Sequence, residues 1–149
     1  MNRLNIIASI LFILLLYGCN LNDHKYEDNL PYEKLSSDVT GITFSNTITP
    51  NLETSENLFD YDYFYNGSGV GIADINNDGL KDVLFCANQE ENRLFLNKGN
   101  LKFEEITQTS NINPKNKKWS SGVTFADVNN DGWLDIYISQ GGPYNSKSR

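Results

Sequence analysis

The sequence GVGIADINNDGLKDV occupies residues 69–83, and a close copy, GVTFADVNNDGWLDI, occupies residues 122–136. The two copies lie 53 residues apart. In each copy an alternating apolar stretch leads into a polar loop, and a run rich in β-branched and aromatic residues follows it. Such flanks are typical of strands, because successive side chains of a strand point to opposite faces. The chain therefore contains an internal repeat of strand, acidic loop and strand.

Each loop carries oxygen-bearing side chains at alternate positions. Counting the first aspartate as position 1, Asp, Asn, Asp and Asp occupy positions 1, 3, 5 and 9, and glycine occupies position 6. Glycine adopts the backbone angles that let a loop wrap a centre, and position 7 needs to offer only its carbonyl. Three carboxylates about 4–5 Å apart would repel one another by several kcal/mol, and a bound cation removes that penalty.

Oxygen-only ligation from a flexible loop favours Ca²⁺ over Zn²⁺ and Mg²⁺. We therefore predict two Ca²⁺ ions, one in each loop, with the residues at positions 1, 3, 5, 7 and 9 as ligands. They are Asp74, Asn76, Asp78, Leu80 and Asp82 in the first loop and Asp127, Asn129, Asp131, Trp133 and Asp135 in the second.

Three other interpretations of these loops exist. An EF-hand requires a bidentate acid at position 12 and flanking helices, whereas position 12 here is Phe85 or Ile138 in a predicted strand. A nucleotide-binding loop at Gly67, Gly69 and Gly71 would need a following helix, and these glycines lead into a strand. The third is an Asx-rich turn without a metal, which a second copy in the same strand context makes less favoured.

The residues between the loops complete a set of four strands. They are predicted at residues 69–75, 82–87, 92–97 and 101–107, with Lys98-Gly99-Asn100 as a hairpin turn. Four antiparallel strands in a repeat of about 40–50 residues are typical of a β-propeller blade.

These residues resemble a known family. The pattern GVxxADxNxDGxxD, with NRLFLN at residues 92–97 and Phe103-Glu104 downstream, resembles the FG-GAP or VCBS-type repeats of integrin-α-like propellers. Residues 41–142 are similar to the N-terminal part of bacterial lipoproteins that carry such repeats and often end in an ASPIC/UnbV domain. The resemblance implies a calcium-stabilised seven-bladed propeller outside the cytoplasm, used mainly for recognition or adhesion. No ASPIC/UnbV-like region is visible in the 149 residues.

The predicted fold class is all-β, a partial β-propeller with calcium loops. It comprises about one and a half four-stranded blades and an additional edge strand at residues 41–45. The second repeat has its first two strands, to Gln140, and then meets Gly141, Gly142 and Pro143. A closed propeller needs at least about four blades, so we expect the chain to be a fragment of a longer protein.

The N-terminal residues predict export. Arg3 precedes an apolar run at residues 6–16, which is too short for a bilayer core that needs ~20 helical residues. LYGC at residues 16–19 resembles a bacterial lipobox, in which the cysteine is lipidated; the alternative is an ordinary signal peptide with a chance cysteine. The predicted organisation is a lipoprotein signal peptide at residues 1–18, a polar tether at 19–40 and incomplete propeller repeats at 41–149.

The charge composition argues against one class of partner. With 12 Lys and Arg against 19 Asp and Glu the net charge is −7, so a nucleic-acid partner is not expected.

Cys86 is predicted to be a small buried residue without chemistry. The aromatic run FDYDYFY at residues 59–65 could stack on sugars, but such runs more often pack in a core, and we favour packing for it and for Trp119. No catalytic residues are predicted.

Together these features predict a calcium-stabilised, extracytoplasmic module for surface recognition or adhesion, with an unidentified protein or glycan ligand. Lipid on Cys19 would anchor it to a bacterial membrane, with the outer membrane or cell surface favoured. An alternative is the accessory or substrate-binding part of a propeller-based polysaccharide-degrading enzyme. A third is a structural spacer.

Overall fold

The computed structural model describes residues 31–113 and 119–143. All the elements below belong to one unit, Lys34–Arg149. The strands are β1 (Val70–Ala73), β2 (Asp82–Phe85), β3 (Arg93–Asn97), β4 (Phe103–Glu105), β5 (Trp119–Ala126) and β6 (Asp135–Gly141). Two single-turn helices are α1 (Ser37–Thr40) and α2 (Thr107–Ser110). Among the described residues, none of the helices has the length and apolar character needed to cross a membrane.

The first four strands form one antiparallel sheet in the order β1-β2-β3-β4. This confirms the predicted set of four strands, although each is shorter than expected. The hairpin turn falls where it was predicted, because Gly99, Asn100 and Leu101 all adopt positive φ angles. Those angles delay the start of β4 to Phe103, and α2 begins at Thr107, so the fourth strand is only three residues long.

The centre of this sheet is buried on both faces. Leu84 of β2 lies opposite Leu94 of β3, and both are almost fully buried. On the other face Phe95 contacts Phe85 edge-on at 5.8 Å between ring centroids. Phe44, from the segment before β1, stacks on Phe85 at 4.8 Å. Apolar cover on both faces explains why β2 and β3 read as nearly continuous hydrophobic runs.

The expected edge strand at residues 41–45 is wrong. This segment leaves α1 through Gly41, which has a φ of 80°, and forms no strand ladder. It is held instead by side chains: Asn46 and Asn88 exchange two hydrogen bonds of 2.7 and 3.0 Å. Side-chain amides therefore replace the backbone pairing that a strand would have made.

Strands β5 and β6 form a second, two-stranded antiparallel sheet. It packs against β1 through small residues. A Cβ atom at Gly69 would lie 2.7 Å from Gly122 Cα, and one at Gly71 would clash with the side chains of Phe125 and Val123. Glycine is thus required at Gly69, just before β1, and at Gly71 within β1, because the neighbouring strand approaches too closely for any side chain.

Candidate functional site: two aspartate-rich loops

The two aspartate-rich loops connect equivalent strands. The first loop, residues 74–82, joins β1 to β2, and the second loop, residues 127–135, joins β5 to β6. Antiparallel pairing fixes the base of each, since Ala73 is opposite Asp82 and Ala126 is opposite Asp135. Both loops therefore fold back within nine residues, as the repeat predicted.

The first loop curls around the carboxylate of Asp74. Its Oδ1 accepts a hydrogen bond from the Asp78 backbone N–H at 3.1 Å, and its Oδ2 accepts one from Gly79 at 2.8 Å. The chain can turn this tightly because Asn77 and Gly79 have φ angles of 58° and 88°. Asparagine and glycine are the residues that enter this left-handed region at least cost.

Asn76 and Asp78 lie side by side in the same loop. The Asn76 amide nitrogen donates to Asp78 Oδ2 at 2.9 Å, and Asn76 Oδ1 accepts from the Asp78 backbone N–H at 3.2 Å. Asp78 Oδ1 also accepts from the Leu80 backbone N–H at 2.8 Å. The Leu80 bond, followed by the Asn76 bond, lowers the pKa of Asp78 below its ordinary 3.8. This carboxylate is therefore ionised at neutral pH.

The second loop repeats this arrangement. Asp127 accepts hydrogen bonds from the backbone N–H groups of Asp131 and Gly132 at 3.1 and 2.9 Å. Asp131 accepts from Trp133 N–H at 2.8 Å and from the Asn129 amide at 2.8 Å. The pKa of Asp127 is lowered, chiefly by the Gly132 bond. Two independent copies thus adopt one geometry.

The last aspartates of the two loops differ. Asp82 is 1% exposed, and its two oxygens accept hydrogen bonds from Ile75 N–H at 2.9 Å and from Asn97 N–H of β3 at 2.8 Å. Asp135 is exposed, and from the described part of the chain it accepts one bond, from Val128 N–H at 3.1 Å. Asp82 therefore joins its loop to the third strand of the sheet, whereas Asp135 only closes its own loop.

The loops also contact each other. The side-chain amide of Asn77, in the first loop, donates to the backbone carbonyl of Gly132 in the second at 3.1 Å. The acidic loops therefore lie next to each other. Asn77 was not among the predicted site residues, although an asparagine precedes the Asp-Gly pair in both copies.

The donor set suits a hard cation, since the predicted side-chain ligands offer only oxygen. An ionised carboxylate has about four lone-pair sites, so one hydrogen bond to each oxygen leaves others free. The side-chain oxygens at positions 1 and 3, Asp74 Oδ1 and Asn76 Oδ1, both accept a hydrogen bond from the backbone N–H of Asp78. Within residues 31–113 and 119–143, however, no three Asp, Glu, His or Cys side chains converge closely enough to form a metal-binding group. The side-chain donors are those that a hard cation such as Ca²⁺ prefers, whereas the Asp82 carboxylate is turned toward backbone amides.

Other predicted features have different outcomes. The signal peptide and Cys19 lie outside the described residues. Cys86 is buried as expected, and burial raises the pKa of its thiol to about 11. In the aromatic run Phe64 is fully buried, but Tyr63 and Tyr65 are 62% and 59% exposed, so packing accounts for only part of the run.

Residues 74–138 match the family model described as FG-GAP-like repeat. The match begins at the first aspartate of the first loop and ends within β6, so it includes both loops and the sheet residues between them. Searches of curated proteins and of solved structures found no match. The more specific resemblance to ASPIC/UnbV-type lipoproteins remains a prediction, and the comparisons support similarity to FG-GAP-like repeats over this segment.

Proposed function

We propose that this chain is a calcium-stabilised recognition module of the β-propeller type, in which each aspartate-rich loop holds one Ca²⁺ ion. One observation carries the proposal: two loops, 53 residues apart in sequence, adopt the same self-capped fold and meet through Asn77 and Gly132. Ionised aspartates crowded in adjacent loops repel one another. A divalent cation offsets that repulsion, and its binding energy adds to the stability of the fold.

The loop residues would have different roles in the proposed calcium sites. Asp74, Asn76 and Asp78 would supply side-chain oxygens in the first loop, and Leu80 would supply its carbonyl. Asp82 would support the loop from behind, since hydrogen bonds from Ile75 and Asn97 hold its carboxylate. The second loop would bind in the same manner through its equivalent residues. Bound calcium supplies charge compensation and rigidity at the ends of β1 and β5.

Thermal melting of single-loop variants tests the proposal. Asp78→Ala and Asp131→Ala each remove one side chain that would coordinate calcium. Each should reduce the difference between the Tm in CaCl₂ and the Tm in EDTA, because an ion that binds only the native state stabilises that state by mass action. Asp38→Ala is a matched control, since Asp38 is an exposed aspartate in α1. The metal assignment is wrong if calcium leaves the Tm of the parent chain unchanged.

We further propose that lipid on Cys19 holds this module on the outer face of a bacterial membrane. The support is the sequence LYGC at residues 16–19 after an apolar run. One acyl chain gives only marginal anchoring and two or more give stable anchoring. Cys19→Ser should move the protein from the membrane fraction to the soluble extracytoplasmic fraction. Retention in the membrane fraction by this variant would rule out the lipid as anchor.

A recognition role, rather than catalysis, is the proposal for the described unit. Three of its exposed aromatic residues, Phe59, Tyr63 and Tyr65, come from one segment and are 91%, 62% and 59% exposed. Aromatic residues are enriched in binding surfaces, because they offer large contact areas at low conformational cost. The role of a substrate-binding part in a polysaccharide-degrading enzyme is the second candidate, and the same exposed rings favour it.

A further inference from the structure

A cavity of about 300 Å³ opens between the aromatic segment and the start of β5. The side chains that line it include Tyr61, Tyr63, Asn66, Ser68, Trp119 and Ser121. Its volume lies at the lower end of the range of ligand sites in proteins, about 300–1,000 Å³. This is space for one ring-sized group rather than for a large cofactor.

The walls of the cavity are aromatic rings held in fixed positions. Tyr61 contacts Trp119 edge-on at 6.0 Å and Tyr63 edge-on at 5.9 Å between centroids. Trp119 is 8% exposed and contacts the fully buried Phe64 at 5.5 Å. A Cβ atom at Gly142 would clash with the Trp119 side chain. The aromatic wall is therefore preorganised, and Tyr63 extends it toward solvent.

Some polar side chains of the cavity form hydrogen bonds within the protein, and others do not. The Ser68 hydroxyl donates to the carbonyl of Ser120, and the Ser121 hydroxyl is 3.1 Å from that of Ser139. Within the described part of the chain, the side-chain amide of Asn66 and the hydroxyls of Tyr61 and Tyr63 have no hydrogen-bond partner. The cavity thus offers one amide and two phenol hydroxyls to a ligand, beside the ring faces.

Among the residues that the structure describes, no Asp, Glu, Lys or Arg side chain lines this cavity. A charged ligand would therefore lose hydration without gaining an opposite charge. A purely apolar ligand would leave the amide and the hydroxyls unpaired. The remaining chemistry is a neutral ring that has an apolar face and hydroxyl groups at its edge, which describes a pyranose sugar.

We infer that this cavity binds a single neutral hexopyranose unit of a glycan, with its C–H face on Tyr63 and its hydroxyl groups bonded to Asn66. The inference deepens the proposed recognition role, on which it rests, because it names the ligand class. It does not depend on calcium, since none of the proposed metal ligands lines the cavity.

The test uses the full chain in CaCl₂ with three neutral probes, cellohexaose, mannohexaose and maltohexaose, and one acidic probe, hexagalacturonic acid. Binding is followed by saturation-transfer NMR and by titration calorimetry. At least one neutral probe should bind, and Tyr63→Ala should weaken it by about tenfold, the size of a favourable aromatic contact. Asn66→Ala should weaken it by a similar factor, whereas Tyr63→Phe should keep most of the affinity.

Tyr137→Ala is the matched control, because Tyr137 is 68% exposed on β6 and does not line the cavity. Its affinity should equal that of the parent chain. The inference is overturned if no neutral probe binds, if only the acidic probe binds, or if Tyr63→Ala and Tyr137→Ala bind equally well. Far-UV circular dichroism checks that each variant is folded.

A parallel calcium titration on the same samples separates the two proposals. Calcium binding without sugar binding would refute the sugar site and leave the metal loops standing. Sugar binding without calcium binding would refute the metal loops and leave the sugar site standing.

Discussion

Replacing Asp82 with alanine should destabilise the first sheet far more than the equivalent change at Asp135. Asp82 is 1% exposed and accepts backbone hydrogen bonds from Ile75 at 2.9 Å and Asn97 at 2.8 Å. Each half-buried N–H that loses its acceptor costs about 1–2 kcal/mol, so the free energy of unfolding should fall by about 2–4 kcal/mol. Asp135 is exposed and, within the described residues, accepts only the Val128 bond, so its replacement should cost about 0.5–1 kcal/mol.

Urea unfolding in EDTA measures this difference without any contribution from calcium. The buried Trp119 provides a fluorescence signal, and far-UV circular dichroism checks that the same transition is seen by both probes. Asp82→Asn should recover part of the loss, since one acceptor oxygen remains. Equal free energies of unfolding for Asp82→Ala and Asp135→Ala, within about 0.5 kcal/mol, would refute the structural role of Asp82.

Three further predictions concern single residues. Asn76→Ala should raise the pKa of Asp78, yet leave it below 3.8 because the larger contribution of the Leu80 hydrogen bond remains. The stabilisation that comes from this lowered pKa is present above pH 3.8 and is lost as the pH falls through the folded-state pKa. Carboxyl-carbon NMR titration of the parent chain and the variant measures the pKa of Asp78 in each. Gly71→Val should lower the free energy of unfolding by about 1–3 kcal/mol, since its side chain would overlap Phe125, and chemical denaturation measures it. The Cys86 thiol, with a pKa near 11, should react with a disulfide reagent at pH 8 only when the chain is unfolded.

The internal repeat allowed much of this fold to be predicted. Because side-chain alternation and the Asn-Asp-Gly turn are local properties, the sequence placed both loops and the strands beside them correctly. The hairpin at Gly99 was predictable for the same reason. Strand ends were less accurate, since Thr107 begins a helical turn that no local pattern indicated.

Other features depend on contacts between distant residues. Asp82 and Asp135 are the same residue type at the same repeat position, yet among the described strands only Asp82 has a third one beside it to donate a hydrogen bond. The segment at residues 41–45 alternates like a strand but is held by the pairing of Asn46 with Asn88, 42 positions away. Such burial and pairing follow from tertiary structure, which one sequence does not display.

The aromatic run shows how composition can mislead. Its residues have strong strand propensity, and the packing interpretation was correct for Phe64, which is fully buried. The run forms turns rather than a strand, so its neighbours Tyr63 and Tyr65 point to solvent instead of alternating into a core. The exposed rings thus became visible only with the structure.

Calcium titration calorimetry of the full chain is the most direct test of the central proposal. After removal of bound metal with EDTA, we expect two Ca²⁺ ions to bind per chain, one per chain for Asp78→Ala or Asp131→Ala, and Mg²⁺ to bind much more weakly. Absence of binding heat together with an unchanged Tm in calcium, or two ions still bound when both aspartates are replaced, would contradict it.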